Sequence, residues 1–314
     1  MVDSKQQWKA WLYLSPAIIL LLIFTVWPIF NTIRMAFLEN YSGLRAVGGA
    51  SFDIGIGNFT YVLKYKDFLQ CLKITVLLCV LTVPISTLLA LLIAVCLNSI
   101  KPLNRLLQTI FFLPYVTNSI AIGMVFTAMF NIYGSFLGTS EEMIISPGLI
   151  NYILSLFGIS RVIWINSGST EVANIAVMVI YIVWNALPFK ILILLGGLQS
   201  VNKQYYDAAK VDGTSRSRVF WRITVPLLSP MIAYVVITGF IGGFKEYTSI
   251  VGIFGSNMGP ADARNRMNTM VGFIYDSLSN NHQGRASAAA LILFVIILIV
   301  TLINLYVSKK RVHY

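Results

Sequence analysis

Three ionisable side chains, Lys190, Lys245 and Glu246, stand inside strongly apolar runs of the sequence. An ionisable group at membrane depth is costly, so each is a functional candidate by default. Lys190 also has a structural reading: it snorkels, or pairs across helices. Lys245 and Glu246 are neighbours on a helix and point to different faces, which makes a mutual salt bridge poor. A second set is gathered by spacing. Asn185 and Phe189 are four residues apart and share a helix face; Ile241, Phe244 and Thr248 share another, with Lys245 beside them. Aromatic rings with a few polar groups suit a sugar, whose apolar ring faces stack and whose hydroxyls hydrogen-bond. The competing reading is helix packing, the usual role of aromatics in apolar spans. Gly239, Gly242 and Gly243 precede the second face and permit close helix approach or a local break. Tyr181, Trp184 and Asn118 are weaker candidates, with no spacing argument behind them.

Other chemistry is poorly provided for. The sequence holds no G-x-x-x-x-G-K-[ST] motif and no Gly-Lys pair, so it cannot cradle a nucleotide phosphate that way. Cys71, Cys79 and Cys96 lie in or beside one apolar segment and read as small buried hydrophobes. His282 and His313 are far from them, so no metal set is expected. A membrane enzyme would need clustered His, Asp or Glu, or a nucleophile with its base, and none is evident.

The elements that must position these groups are membrane helices. Of 314 residues, 57% are hydrophobic and 11% charged, and the mean hydropathy is +0.77. A soluble domain would carry roughly 25% charged residues. Six apolar spans are expected at about Trp11–Phe30, Leu72–Leu97, Leu106–Phe130, Ala173–Leu198, Leu227–Ile250 and Ala286–Val307. The first is too long for a signal peptide's apolar core and has no small-x-small cleavage site after it. The fold class is therefore all-α, a polytopic membrane protein. With the N-terminus inside, the inner segments hold twelve cations against three acids, and the outer segments nine against eight. This asymmetry places both termini in the cytoplasm and explains the net charge of +11 without nucleic acid. Three divisions follow: residues 1–70, a first helix and outer loop; 71–307, a transmembrane core; and 308–314, a cytoplasmic tail. The outer loop 131–172 is expected to carry a short helix over Leu149–Phe157.

One cytoplasmic loop, about 199–226, is unusual. It reads QYYDAAKVDGTSRSRVFWRITVPLLSP from Gln204 to Pro230. Small residues and a glycine between two short helical stretches suit close contact with another protein, and a solvated connector would not need Phe220, Trp221 and Ile223. Asp207-Ala208-Ala209, Gly213 and Ile223-Thr224-Val225-Pro226 resemble, in every spacing, the Glu-Ala-Ala loop signature of membrane subunits of bacterial ATP-binding-cassette importers. Asp207 and Val225 depart mildly, standing for Glu and Leu. Phe111–Asn131, Trp184–Ser200, Gly243–Pro260 and Gly284–Arg311 are similar to segments of the sugar-importer branch, of maltose and glycerol-phosphate type.

That resemblance implies a type I importer permease fold in a bacterial inner membrane. It implies that Tyr206, Asp207, Ala208, Ala209, Asp212 and Gly213 dock in a cleft of a cytoplasmic ATPase dimer. ATP and Mg would lie on that partner, with no cofactor in this chain. It further implies a second homologous permease chain, an external solute-binding protein, membrane lipid around the helices, and a saccharide substrate, with Phe189, Phe244, Lys245 and Thr248 matching sugar contacts. The alternative is an ion-coupled secondary carrier. Such carriers often have two internal halves with matching broken helices, and no second half is visible.

Overall fold

The computed structural model describes residues 7–100, 104–136 and 143–311. Helix α1 (Gln7–Leu21) runs through a π-helical turn at Leu22–Val26 into α2 (Trp27–Phe37). Two short helices follow, α3 (Gly43–Val47) and α4 (Gly57–Lys64), then the long α5 (Lys66–Ser99). Helices α6 (Asn104–Val116) and α7 (Ser119–Phe130) lead to strands β1 (Tyr133–Phe136) and β2 (Met143–Ser146) and to α8 (Leu149–Leu156). The long α9 (Glu171–Ser200) precedes four shorter helices: α10 (Lys203–Val211), α11 (Arg216–Val219), α12 (Val225–Leu227) and α13 (Ser229–Phe244). The chain ends with α14 (Thr248–Phe254), α15 (Met270–Ser279) and α16 (Gln283–Arg311).

Four continuous helical stretches are long and apolar enough to span a bilayer: Trp8–Phe37, Lys66–Ser99, Glu171–Ser200 and Gln283–Lys310. At 1.5 Å per residue, the 34 residues of α5 reach about 51 Å, well past a hydrocarbon core of roughly 30 Å. The third and fifth expected spans are not single rods. Thr109–Val116 and Ser119–Phe130 meet at 104°, and the fifth is interrupted between Phe244 and Thr248, with a 68° bend at its start where Arg216–Leu227 meets Ser229–Phe244. Counting each bent pair as one span gives the six that hydropathy predicts.

The first break has a local cause. Asn118 is extended, and its side chain accepts from the backbone N–H of Ile120 at 2.8 Å and Ala121 at 3.4 Å. That is an N-cap, and it starts a new helix where an apolar rod was expected to continue. The buried Tyr181 hydroxyl then donates to Ser119 O at 2.5 Å, tying α9 to the start of α7. A second departure is the antiparallel hairpin β1–β2, running from Tyr133↔Ser146 to Phe136↔Met143 in the loop 131–172 of an otherwise helical chain. In the same loop α8 forms as expected, and its buried Asn151 accepts from Val162 N and the Trp164 indole and donates to Val162 O. Cys71 and Cys79 are buried, but Cys96 is exposed: it lies on an outward face of α5 and contributes nothing to the core.

The chain divides into two compact units. The first holds residues up to Leu69 together with Phe273–Phe294; the sequence division at 70/71 does not show this second segment. The apolar core of Trp8–Phe37 has none of its residues buried within the chain. The remainder of the first unit is tied by polar contacts to main chain. Asn58 donates to Ala36 O and Leu38 O, and the Glu39 carboxylate accepts from Gly57 N at 2.9 Å.

The second unit spans Gln70–Gly272 and Val295 onward. One core cluster centres on Ile74, Leu78, Phe126, Met178, Tyr181 and Ile250; another on Ala90, Leu91, Leu194, Leu198 and Leu228. Helices α7 and α14 touch backbone to backbone. A Cβ placed on Gly123 would lie 2.6 Å from Gly252 Cα, and one on Gly252 would lie 3.0 Å from Gly123 Cα. The Thr127 hydroxyl reaches Ile253 O at 3.0 Å across the same contact.

Candidate transport cleft and coupling loop

A cleft of about 310 Å³ opens within the second unit, between α5, α6, α9 and α13. That volume is at the small end of ligand pockets, roughly 300–1,000 Å³. Thr82 and Ser86 of α5 are four residues apart and present hydroxyls on one helix face. Asn185, Phe189 and Lys190 come from α9, and Tyr115 from the end of α6. The Tyr115 and Phe189 rings stack at 5.8 Å with 18° between their planes. On the far wall, α13 gives Thr238, Gly239, Gly242 and Gly243, followed by Glu246.

Lys190 is buried and held by three neutral acceptors. Its Nζ donates to Ser86 Oγ at 2.7 Å, Thr87 Oγ1 at 2.9 Å and Val83 O at 3.2 Å. The ammonium therefore bridges α9 to α5 and needs no carboxylate to satisfy its donors. Pairing across helices was one of the two structural readings of this residue, and it is the arrangement found. Glu246 is a helix-start group. Its Oε1 accepts from the backbone N–H of Tyr247 and Ser249, each at 3.1 Å, at the beginning of α14.

Asn185 and Phe189 are together in the cleft, as their shared face requires. The fifth-helix face is not realised. Helix α13 ends at Phe244 with Lys245 as its C-cap, and Thr248 opens a different helix, so Ile241, Phe244 and Thr248 do not share one continuous face. Phe244 is buried, whereas Lys245 and Thr248 are exposed and Ile241 is partly buried; none of the four lines the cleft. The three glycines do not break the helix: all lie within α13, and Gly239 and Gly243 allow close approach to α5, where a Cβ on Gly239 would lie 3.1 Å from Val83 Cγ1 and one on Gly243 2.8 Å from Cys79 Sγ. The helix ends after them, where the Glu246 carboxylate accepts from the amides of Tyr247 and Ser249 and starts α14, and the glycines' bare backbone forms the wall that larger side chains were expected to form. Thr82, Ser86 and Tyr115 were missed. The i, i+4 hydroxyl pair inside an apolar span is the signal that could have found the first two.

The cytoplasmic-loop candidates lie on one short exposed helix. Asn202 caps α10, accepting from Gln204 N at 3.0 Å. Ala209 is buried, Tyr206 half-buried, and Asp207, Ala208 and Asp212 are exposed. The Tyr206 hydroxyl lies 3.4 Å from Thr224 Oγ1. Asp207 pairs with Lys210 at 3.7 Å across the surface, a contact contributing little. Gly213 ends α10 at φ +62°. Gly213 N–H donates to Lys210 O at 3.1 Å, and Thr214 N–H to Ala209 O at 3.0 Å. This is a Schellman closure, which requires a left-handed residue at the glycine position. Gly213→Ala is expected to cost about 1 kcal/mol there, fraying α10 without loss of protein from the membrane. Faster hydrogen exchange at Lys210–Thr214 in the variant is the measurement that checks it.

Known proteins place this arrangement. A family model described as binding-protein-dependent transport system inner membrane component matches residues 86–313. The chain is 30% identical to the sn-glycerol-3-phosphate transport system permease protein UgpA of Agrobacterium fabrum, over 97% of this chain and 96% of that one. It is 29% identical to the arabinooligosaccharides transport system permease protein AraP of Bacillus subtilis, over 95% and 88%. It is 28% identical to the trehalose/maltose transport system permease protein MalF of Thermococcus litoralis, over 96% and 94%. Among solved structures, a bacterial ABC transporter involved in import of the acidic polysaccharide alginate superposes with TM-score 0.77 at 22% identity, over 98% of this chain and 97% of that chain. That likeness shows a shared fold. With a family match across most of its length and a polar cleft among its membrane helices, the chain belongs to the inner membrane permease components of binding-protein-dependent transport systems.

Proposed function

We propose that this chain is the translocation subunit of an ATP-driven importer of a saccharide, with both termini in the cytoplasm. The observation that carries the coupling is α10, a short helix standing exposed between the spans and closed by Gly213. Tyr206, Asp207, Ala208, Ala209, Asp212 and Gly213 are assigned to contact with a separate ATPase. The saccharide assignment draws support from the cleft, where the stacked Tyr115–Phe189 pair lies beside Asn185 and three α5 and α13 hydroxyls. It also draws support from two relatives whose names specify oligosaccharide or disaccharide transport. Asn185 and Phe189 are the proposed sugar contacts of this chain. A second permease and an external binding protein complete the machine: the described residues of this chain offer six spans at most, and the matching family is one of binding-protein-dependent transport.

The test is purification of the tagged full chain from its native membranes, followed by mass spectrometry. A second permease and an ATPase in comparable amounts are expected. Isolation of the chain alone, with saccharide uptake surviving ATP depletion, overturns the reading.

A further inference from the structure

A second cavity lies wholly within the first unit. It has a volume of about 440 Å³ and is walled by the segment Asn40–Arg45 and by Asn280–Arg285. Its lining includes the cations Arg45 and Arg285 and the imidazole of His282, and it includes no acid. Neither guanidinium has a carboxylate within ion-pair distance among the described residues. Each is instead set against an aromatic ring. Arg285 lies 3.8 Å from the centroid of Tyr61, and Arg45 lies 5.7 Å from that of Phe52. Such stacking orients the planar fork and leaves its N–H edge free for an acceptor.

The walls are fixed to each other. Gly43 N–H donates to Gln283 Oε1 at 3.0 Å, and Gly284 N–H donates to Tyr41 O at 3.1 Å. The charge arrangement is also unfavourable without a counter-ion. Arg285 sits in the first turn of the 29-residue α16, which carries no acid there, so a cation faces the positive end of a helix dipole. An anion held in the cavity would offset the dipole and both guanidinium charges together.

We propose that this cavity is an oxyanion site taking a phosphate group through Arg45 and Arg285, with Asn40, Asn281 and His282 supplying further polar contacts. The assignment does not depend on the saccharide reading. The phosphate could come from a soluble phosphate or from an anionic lipid headgroup, and the two sources share this chemistry.

The test uses the full chain in nanodiscs. In one arm the discs are pure phosphatidylcholine, and inorganic phosphate is titrated at constant ionic strength with phosphorus NMR line width as the readout. In the other the discs contain phosphatidylglycerol, and retained lipid is counted by native mass spectrometry. Saturable binding in the first arm identifies a soluble source; retention in the second identifies a headgroup. Arg45→Gln with Arg285→Gln is expected to weaken binding by at least about tenfold. Arg45→Gln alone, at an exposed side chain, is expected to leave folding unchanged and to show part of that loss. The proposal is overturned if neither arm shows saturable binding, or if the Arg45→Gln variant and the double variant both bind like the parent.

Discussion

Gly123→Ala is expected to lower the melting temperature and reduce uptake more than Gly252→Ala, and leucine at either position to abolish uptake. The order follows from the α7–α14 contact. A methyl on Gly123 meets Gly252 Cα at 2.6 Å, closer than any Cβ contact allows, whereas one on Gly252 meets Gly123 Cα at 3.0 Å. In both cases the obstacle is backbone, so no side chain can rotate away. Overpacking a tight core costs typically 1–3 kcal/mol, and the upper part of that range is expected for Gly123→Ala. Separating the helices would also lengthen the bond from the Thr127 hydroxyl to Ile253 O. Thermal melts of the purified variants and uptake in intact cells are the two readouts. Equal melting temperatures for the two alanine variants and the parent would show that the helices do not meet at this pair.

Lys190 supports a second prediction with an inverted order. Lys190→Met removes three donor contacts from a buried ammonium, and charge-assisted hydrogen bonds contribute about 1.5–3 kcal/mol. The loss is limited because the α5 hydroxyls keep acceptors of their own: Ser86 Oγ donates to Thr82 O, and Thr87 Oγ1 to Val83 O at 2.7 Å. Ser86→Ala with Thr87→Val does more damage. It leaves the charge buried with one carbonyl, and stranding a buried charge costs about 3–5 kcal/mol. Adding Lys190→Met to that double variant is therefore expected to restore stability. Failure of the third substitution to raise the melting temperature would mean that the ammonium reaches water by another route.

Much of the fold was legible because long apolar runs have few alternatives. The helices around Leu72–Leu97, Ala173–Leu198 and Ala286–Val307 are present and longer than hydropathy gave them. Helix α10 and its stop were legible from the small residues and glycine of the loop. The breaks were not. Asn118 stood in the sequence as a weak polar candidate, and its capping geometry shows only when the amides of Ile120 and Ala121 are found pointing at it. Glu246 was read as a membrane-depth charge because its partners are backbone groups that carry no sequence signature. Spacing correctly joined Asn185 to Phe189, since α9 is unbroken between them. It failed for Ile241, Phe244 and Thr248, because a 3–4 repeat has meaning only within one helix. The hairpin at Tyr133–Ser146 gave no alternation over strands of four residues each.

The capped break at Asn118 has a bearing on how the chain is made. Helix α7 has 12 residues and reaches about 18 Å, too short to cross a bilayer alone. Its first amides are satisfied by the Asn118 side chain, and Ser119 O also accepts from the Tyr181 hydroxyl of α9, which is supplied 62 residues later in the chain. Until α9 has emerged from the ribosome, the bent pair lacks this tie to a neighbouring helix, and with it the edge contact between the Phe126 and Tyr181 rings. The third span therefore acquires its final form only after the fourth has been synthesised, so a nascent chain halted before Tyr181 should hold a less settled, more slowly inserted segment than one halted just after it.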